Sequence, residues 1–128
     1  MTHSKSKIIR TWKGWTTLEN ASMYEDMLIN EVFPTVKKNG VSGLEKVSIS
    51  TKNKADEVEF FLTLQFDSLD AVKSFAGENY NQAYIPENAK HVLKRYDKTA
   101  EHYELKEEII SNISSSFFIL VYSFWRNL

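Results

Sequence analysis

The stretch VEFFLTLQF, Val58 to Phe66, puts Val58, Phe60, Leu62, Leu64 and Phe66 on one side of an extended chain, because successive side chains of a strand point to opposite faces. A strand patterned this way must lay its apolar side on a second packed layer. It runs straight into DSLDAVKSFAG. There Asp67 or Ser68 caps a helix, Leu69, Val72, Phe75 and Ala76 form its buried stripe, and Gly77 suits a closing residue of positive φ.

The other elements fit around this pair. KIIRTWKGW, Lys7 to Trp15, is rich in β-branched and aromatic residues and reads as a first strand, with Ile8, Arg10 and Trp12 sharing one face. Thr16 with Glu19 has the form of a capping box that opens a helix. In that helix Ala21, Tyr24, Met27, Leu28 and Val32 make an apolar stripe, which Pro34 kinks or ends because it has no N–H for Asn30. Gly40 and Gly43 turn the chain into a second strand, Leu44 to Thr51, and the short polar loop KNKADE favours a hairpin with Val58 to Phe66. TAEHYELKEEI supplies a fourth strand. The order β-α-β-β-α-β is the split βαβ arrangement, an α+β fold with a four-stranded antiparallel sheet and its helices on one face. Phe61 points opposite Phe60, so a second subunit is expected to cover the other face.

At 128 residues the chain is one domain, read as a polar arm over 1–6, a body over 7–108 and an apolar tail over 109–128 that docks on the body or on a partner subunit. The arm lacks the apolar stretch of a secretory signal, and the run FFILVYSFWRNL, Phe117 to Leu128, falls short of the roughly 18 residues of a membrane span. No membrane association is expected. Sixteen Lys plus Arg against 17 Asp plus Glu give a net charge of -1, without a positive field to gather nucleic acid. Zero cysteines exclude disulfides and thiolate chemistry and fit a cytoplasmic protein. There is no phosphate-binding glycine loop, nucleophile elbow or dinucleotide fingerprint, and His3, His91 and His102 are too scattered for a metal set.

In order along the chain, IIRTWKGWT, EVEFFLTLQFDSLDAVKSFAGEN, AYIPENAKHVL and AEHYEL resemble the antibiotic biosynthesis monooxygenase-like proteins of the dimeric α/β-barrel superfamily. The likeness runs from Ile8 to about Leu105. It implies two ferredoxin-like subunits facing each other through their sheets, each with a cleft between sheet and helices. It also implies a phenolic, hydrophobic aromatic substrate that reacts with O₂ without metal, flavin or other cofactor. The haem-degrading relatives require a ligating His, an Asn on the first strand and a Trp near the end of the third. Here His91 is available, but Arg10 and Trp12 stand where Asn is needed and Phe66 where Trp is.

Within that frame His91, in a helical segment behind Pro86, is a candidate catalytic base or hydrogen-bond donor. His102 enters the cleft if its strand turns it toward the helices, and the dimer interface otherwise. Tyr80 and Tyr84, four residues apart, can frame a ring from one side of a helical turn. Arg10 and Trp12 offer a positive charge beside a flat apolar surface, and Phe66 lies near them as a further wall residue. The segment from Tyr80 to His91 is either the cleft wall or a connector. Besides an oxygenase, a non-catalytic ligand-binding or stress-related barrel and an interaction module that recruits a partner through its tail both fit the sequence.

Overall fold

The computed structural model describes residues 6–111. The start of the polar arm and the apolar tail from Phe117 to Leu128 lie outside the described residues. Strand β1 (Ile8–Thr16) is followed by α1 (Ala21–Met27), a π turn (Leu28–Val32) and α2 (Phe33–Lys38). Strands β2 (Leu44–Asn53) and β3 (Val58–Phe66) follow, then α3 (Leu69–Ala76), the single turn α4 (Glu87–Lys90), β4 (Arg95–Tyr96) and β5 (Glu101–Glu104). The strand order is β2-β3-β1-β4, with β5 also on β1, and every pairing is antiparallel. This is the ferredoxin-like arrangement expected from the order of elements.

Alternation sets the layers. Ile8 lies opposite Phe66 and Thr16 opposite Val58, so the apolar row of β3 and the row Ile8, Arg10, Trp12 turn to the same side, under the helices. Phe60 and Phe66 are fully buried there with Val72 of α3, and Tyr24 meets Phe60 edge-on, ring centroids 4.9 Å apart. Burying a large apolar side chain contributes about 1.5–3 kcal/mol, and this layer holds most of the described core. Ser68 caps α3 by accepting the Ala71 N–H at 3.2 Å, while its own hydroxyl donates to Asp67 Oδ1 at 2.9 Å. Gly43 at φ +90° lies against this cap, and a Cβ there would stand 2.5 Å from Asp67 Oδ1, which no side chain can accept.

Several expectations are corrected. Thr16 does not cap the first helix. It is the last residue of β1, fully buried, and its hydroxyl has no partner among the described residues. The neighbouring Thr17 hydroxyl takes the Asn20 N–H instead, at 3.1 Å. Pro34 does not end the helix. The backbone widens by one residue, the Phe33 N–H bonds to the Leu28 carbonyl, and Pro34 enters the first turn of α2, where a missing N–H costs least. In α3, Leu69 is exposed and Ala71 is buried in its place. The fourth strand is split: β4 pairs with Gly14 and Trp15, β5 with Ile8 to Thr11, and the chain bulges away between them. The outward side of β3 is Glu59, Phe61, Thr63 and Gln65, more polar than the face expected for a subunit contact.

Candidate functional site

A cleft opens between the sheet and the α1–α2 helix, walled by Leu62 and Leu64 from β3, Leu28 and Val32 from the π turn, and Phe75 from α3. The atom-free space is about 560 Å³, mouth included, of which only about 50 Å³ admits the centre of a water molecule. It is a narrow slot. The π turn contributes directly to its shape, since widening the helix by a residue shifts which side chains face the sheet.

Arg10 and Trp12 both line this slot, as their shared strand face requires. Trp12 is fixed by its indole N–H, which donates to the Asp97 carbonyl at 2.7 Å across the bulge between β4 and β5. Its ring lies over Gly14, where a Cβ would come within 2.5 Å of the indole. Arg10 is only 4% exposed. Its Nη1 donates to the Tyr80 carbonyl at 2.6 Å and contacts His102 Nε2 at 2.9 Å, and its Nη2 donates to the Gln82 carbonyl at 3.0 Å. The guanidinium carbon stands 5.5 Å from the centre of the Phe75 ring. Burial lowers the Arg10 pKa to about 10, so the group is charged at neutral pH.

His102 faces Arg10 because β5 pairs in a register that sets the two opposite each other on β1. His102 therefore lies on the helix side of the sheet, but it does not line the slot. A guanidinium only donates, so Nε2 must accept and the ring is the neutral tautomer with its proton on Nδ1. Burial, and then the Arg10 charge, hold the His102 pKa below the ordinary imidazole value. The folded state thus binds its proton less readily than the unfolded chain. Stability from this source is complete above about pH 6.5 and is lost as pH falls from there through the lower folded-state value. His102→Gln keeps an acceptor near Arg10 and removes the titration. Thermal melts from pH 7.5 to 5 are expected to show a steeper loss for the wild type than for H102Q, and parallel curves would contradict the assignment.

The remaining sequence candidates separate. Tyr80 and Tyr84 do not share a helical turn: residues 78–81 form a turn, Gln82 bridges to Thr99, and 83–86 have no regular structure. Tyr80 stacks edge-on to His102, centroids 5.1 Å apart, while Tyr84 lines the slot, packs edge-on to Phe75 at 5.8 Å and is 55% exposed at the mouth. Phe66 is fully buried in the core and does not line the slot. His91 ends the short turn α4, is exposed, and is absent from the slot wall. The chain turns its next two residues, Val92 and Leu93, into the core and leaves His91 outside. His91→Ala is expected to change stability by no more than about 0.5 kcal/mol and to leave turnover or ligand affinity unaltered, as paired melts and titrations can establish.

The segment from Tyr80 to Ala89 is thus both wall and connector. Its side chains Tyr84, Ile85, Pro86 and Ala89 line the slot, and its carbonyls at Tyr80 and Gln82 hold Arg10. Tyr24 is a site residue that the apolar stripe concealed. It lines the slot, is nearly fully buried, and its phenol pKa is pushed up by burial, so it remains a protonated donor. Its helical spacing was readable, but nothing local distinguishes a core tyrosine from one at a cavity. Among the described residues no group of three or more His, Cys, Asp or Glu could hold a metal ion, and no helix is long and apolar enough to cross a membrane.

In sequence the chain matches no family model and no curated protein. In structure it is similar to a candidate antibiotic biosynthesis monooxygenase from Bacillus cereus, with a TM-score of 0.56, 15% identity, and coverage of 82% of this chain and 98% of that one. It is also similar to the monooxygenase from the gene ActVA-Orf6 of Streptomyces coelicolor, solved in complex with nanaomycin D, with a TM-score of 0.51, 12% identity, and coverage of 84% and 93%. At these identities the likeness is one of fold, and the chain has the ferredoxin-like fold of the antibiotic biosynthesis monooxygenases.

Proposed function

We propose that the chain is a cofactor-independent, monooxygenase-like enzyme that takes a hydrophobic aromatic small molecule into the slot and oxidises it with O₂. The observation that carries the reading is a buried guanidinium, Arg10, lining an otherwise apolar slot with no carboxylate partner among the described residues. A cation held in low dielectric strongly favours an ionised ligand oxygen, and an electron-rich anionic ring can pass its electrons to O₂ directly. Tyr24 adds a neutral donor, and the apolar walls keep water from a carbanion or peroxide. Oxidation of a ring methylene to a carbonyl consumes one O₂, one atom entering the carbonyl and the other leaving as water. The fold likeness to a monooxygenase supports this by analogy.

His102 is a positioning residue in this scheme. Its Nε2 is engaged by Arg10, so it orients the guanidinium and is not free to act as base. The haem-degrading reading loses support on the same ground, since His102 offers no free Nε2 and His91 stands outside the slot. Oxygen uptake with a panel of anthrone- and quinol-type compounds tests the reading, and the absence of uptake with every member would overturn it. The narrowness of the slot favours a second reading, a barrel that binds a small ligand without turnover: ligand pockets commonly measure about 300–1,000 Å³, and a polycyclic substrate requires this one to widen at Tyr84. Binding without oxygen consumption would select it.

The proposal includes a homodimer through the outward sheet face, where Ile9, Phe61 and Tyr103 stand among polar residues and the strands leave one layer uncovered. Sedimentation at micromolar concentration is expected to give twice the monomer mass, and a monomer would rule the barrel out.

A further inference from the structure

We infer that the ionised group seated on Arg10 is a carboxylate, so that the slot takes small planar aromatic monocarboxylic acids. The inference builds on the reading of the slot as a ligand site but not on oxygen chemistry.

Donor accounting leads to it. A guanidinium has five N–H groups. Tyr80, His102 and Gln82 take three of Arg10's, leaving one on Nε and one on Nη2 without a partner among the described residues. Nε and Nη2 flank one edge of the guanidinium plane, and two donors on one edge are the fork that a carboxylate meets with both oxygens. A lone phenolate oxygen can meet both donors only by sharing itself between two bent hydrogen bonds, whereas a carboxylate gives each donor its own oxygen in line. The charge count agrees. His102 is neutral, and the two buried carboxylates, Glu57 and Glu59, are committed elsewhere, Glu57 to Lys94 and Arg95, Glu59 to Lys13 and Lys54. Glu59 pairs with Trp15, five residues along β1 from Arg10, or roughly 16 Å at strand rise. The site therefore carries one uncompensated positive charge, which a monoanion balances and a dianion exceeds. Phe75 beneath the guanidinium, with Trp12 and Leu62 beyond, gives the acid's ring an apolar bed. Arg10 is then the anchor of the ligand, and the head-group series below tells a carboxylate from a phenolate at that anchor.

The test is calorimetric titration of the full-length protein at pH 7.5 with 2-naphthoate, 2-naphthamide and 2-naphthol, which share a ring system and differ in the head group. Naphthoate is expected to bind about 10- to 100-fold more tightly than the amide or the naphthol. Arg10→Gln should remove the preference for naphthoate over the amide, and Arg10→Lys, which keeps the charge but not the fork, should fall between. If either variant fails to fold, the wild-type series decides alone. Equal affinities for the three, a preference for naphthol, or no binding at millimolar concentration would each overturn the carboxylate assignment. Oxygen uptake run in parallel keeps the two proposals apart: uptake with quinols but no preference for naphthoate sinks this inference and leaves the oxygenase standing, and tight naphthoate binding with no uptake does the reverse.

Discussion

Arg10→Gln is expected to lower turnover of an oxidisable substrate by about 10²- to 10³-fold, the scale of losing a preorganised donor to a developing oxyanion, while leaving stability almost unchanged or slightly raised. The two halves of that expectation have different causes. The wild-type guanidinium is stabilised by the carbonyls of Tyr80 and Gln82 and by His102, and hydrogen bonds to a charged group contribute about 1.5–3 kcal/mol each. Against this stands the desolvation of a charge with no counter-ion, an effective penalty of several kcal/mol even after relaxation. Glutamine can still donate to one of the carbonyls and removes the buried charge, so the losses and the gain nearly cancel. The outcome to measure is a large fall in kcat/KM with a Tm close to wild type. A residue placed for folding would give the opposite pattern, and a melt that collapses while activity per folded molecule persists would remove Arg10 from the site.

Phe66→Ala should behave in that opposite way. The side chain is fully buried, packs against Phe75 with ring centroids 5.6 Å apart, and pairs in register with Ile8 and Leu44. Truncating a phenylalanine in such a place costs about 3–5 kcal/mol through lost transfer energy and the cavity left behind. That is a large share of the 5–15 kcal/mol that holds a typical domain, and it corresponds to a Tm lower by about 10–20 °C for a domain of this size. Ligand affinity of the folded fraction, measured well below the melt, should stay within a few-fold of wild type, because Phe66 does not reach the slot. A normal melt with lost affinity would return Phe66 to the binding wall.

The contrast between these two residues marks the reach of sequence reasoning here. Both lie on strands whose alternation was legible: it grouped Arg10 with Ile8 and Trp12, and Phe66 with the apolar row of β3, and the pairing of β1 with β3 then set both rows on the helix side. It could not tell which would face a cavity, because the slot is lined by side chains that β1, β3, the turn Leu28–Val32, α3 and the segment 84–89 bring together only on folding. The π turn was itself hidden: Pro34 announces an interruption, but whether the backbone ends, kinks or widens depends on what α2 then packs against.

Short-range periodicity and local chemistry were enough for one part of the architecture. The side of β3 that is buried, a helix cap at Asp67 or Ser68, the positive φ at Gly77 and the β-α-β-β-α-β order all follow from contacts within a few residues along the chain, and the folded chain selects Ser68 as the cap. Register and closure, which local pattern does not encode, set the rest. Arg10 meets the carbonyl of a residue 70 positions away and the imidazole of one 92 positions away, and His102 arrives there only because β5 pairs with β1 in one register. A slip of one residue would have turned Tyr103 inward and His102 out. Spacing misled at Tyr80 and Tyr84 for the same reason: the backbone at Asn81 to Ala83 bonds to Lys98 to Ala100 instead of completing a helix, and one ring meets His102 while the other stands at the mouth of the slot.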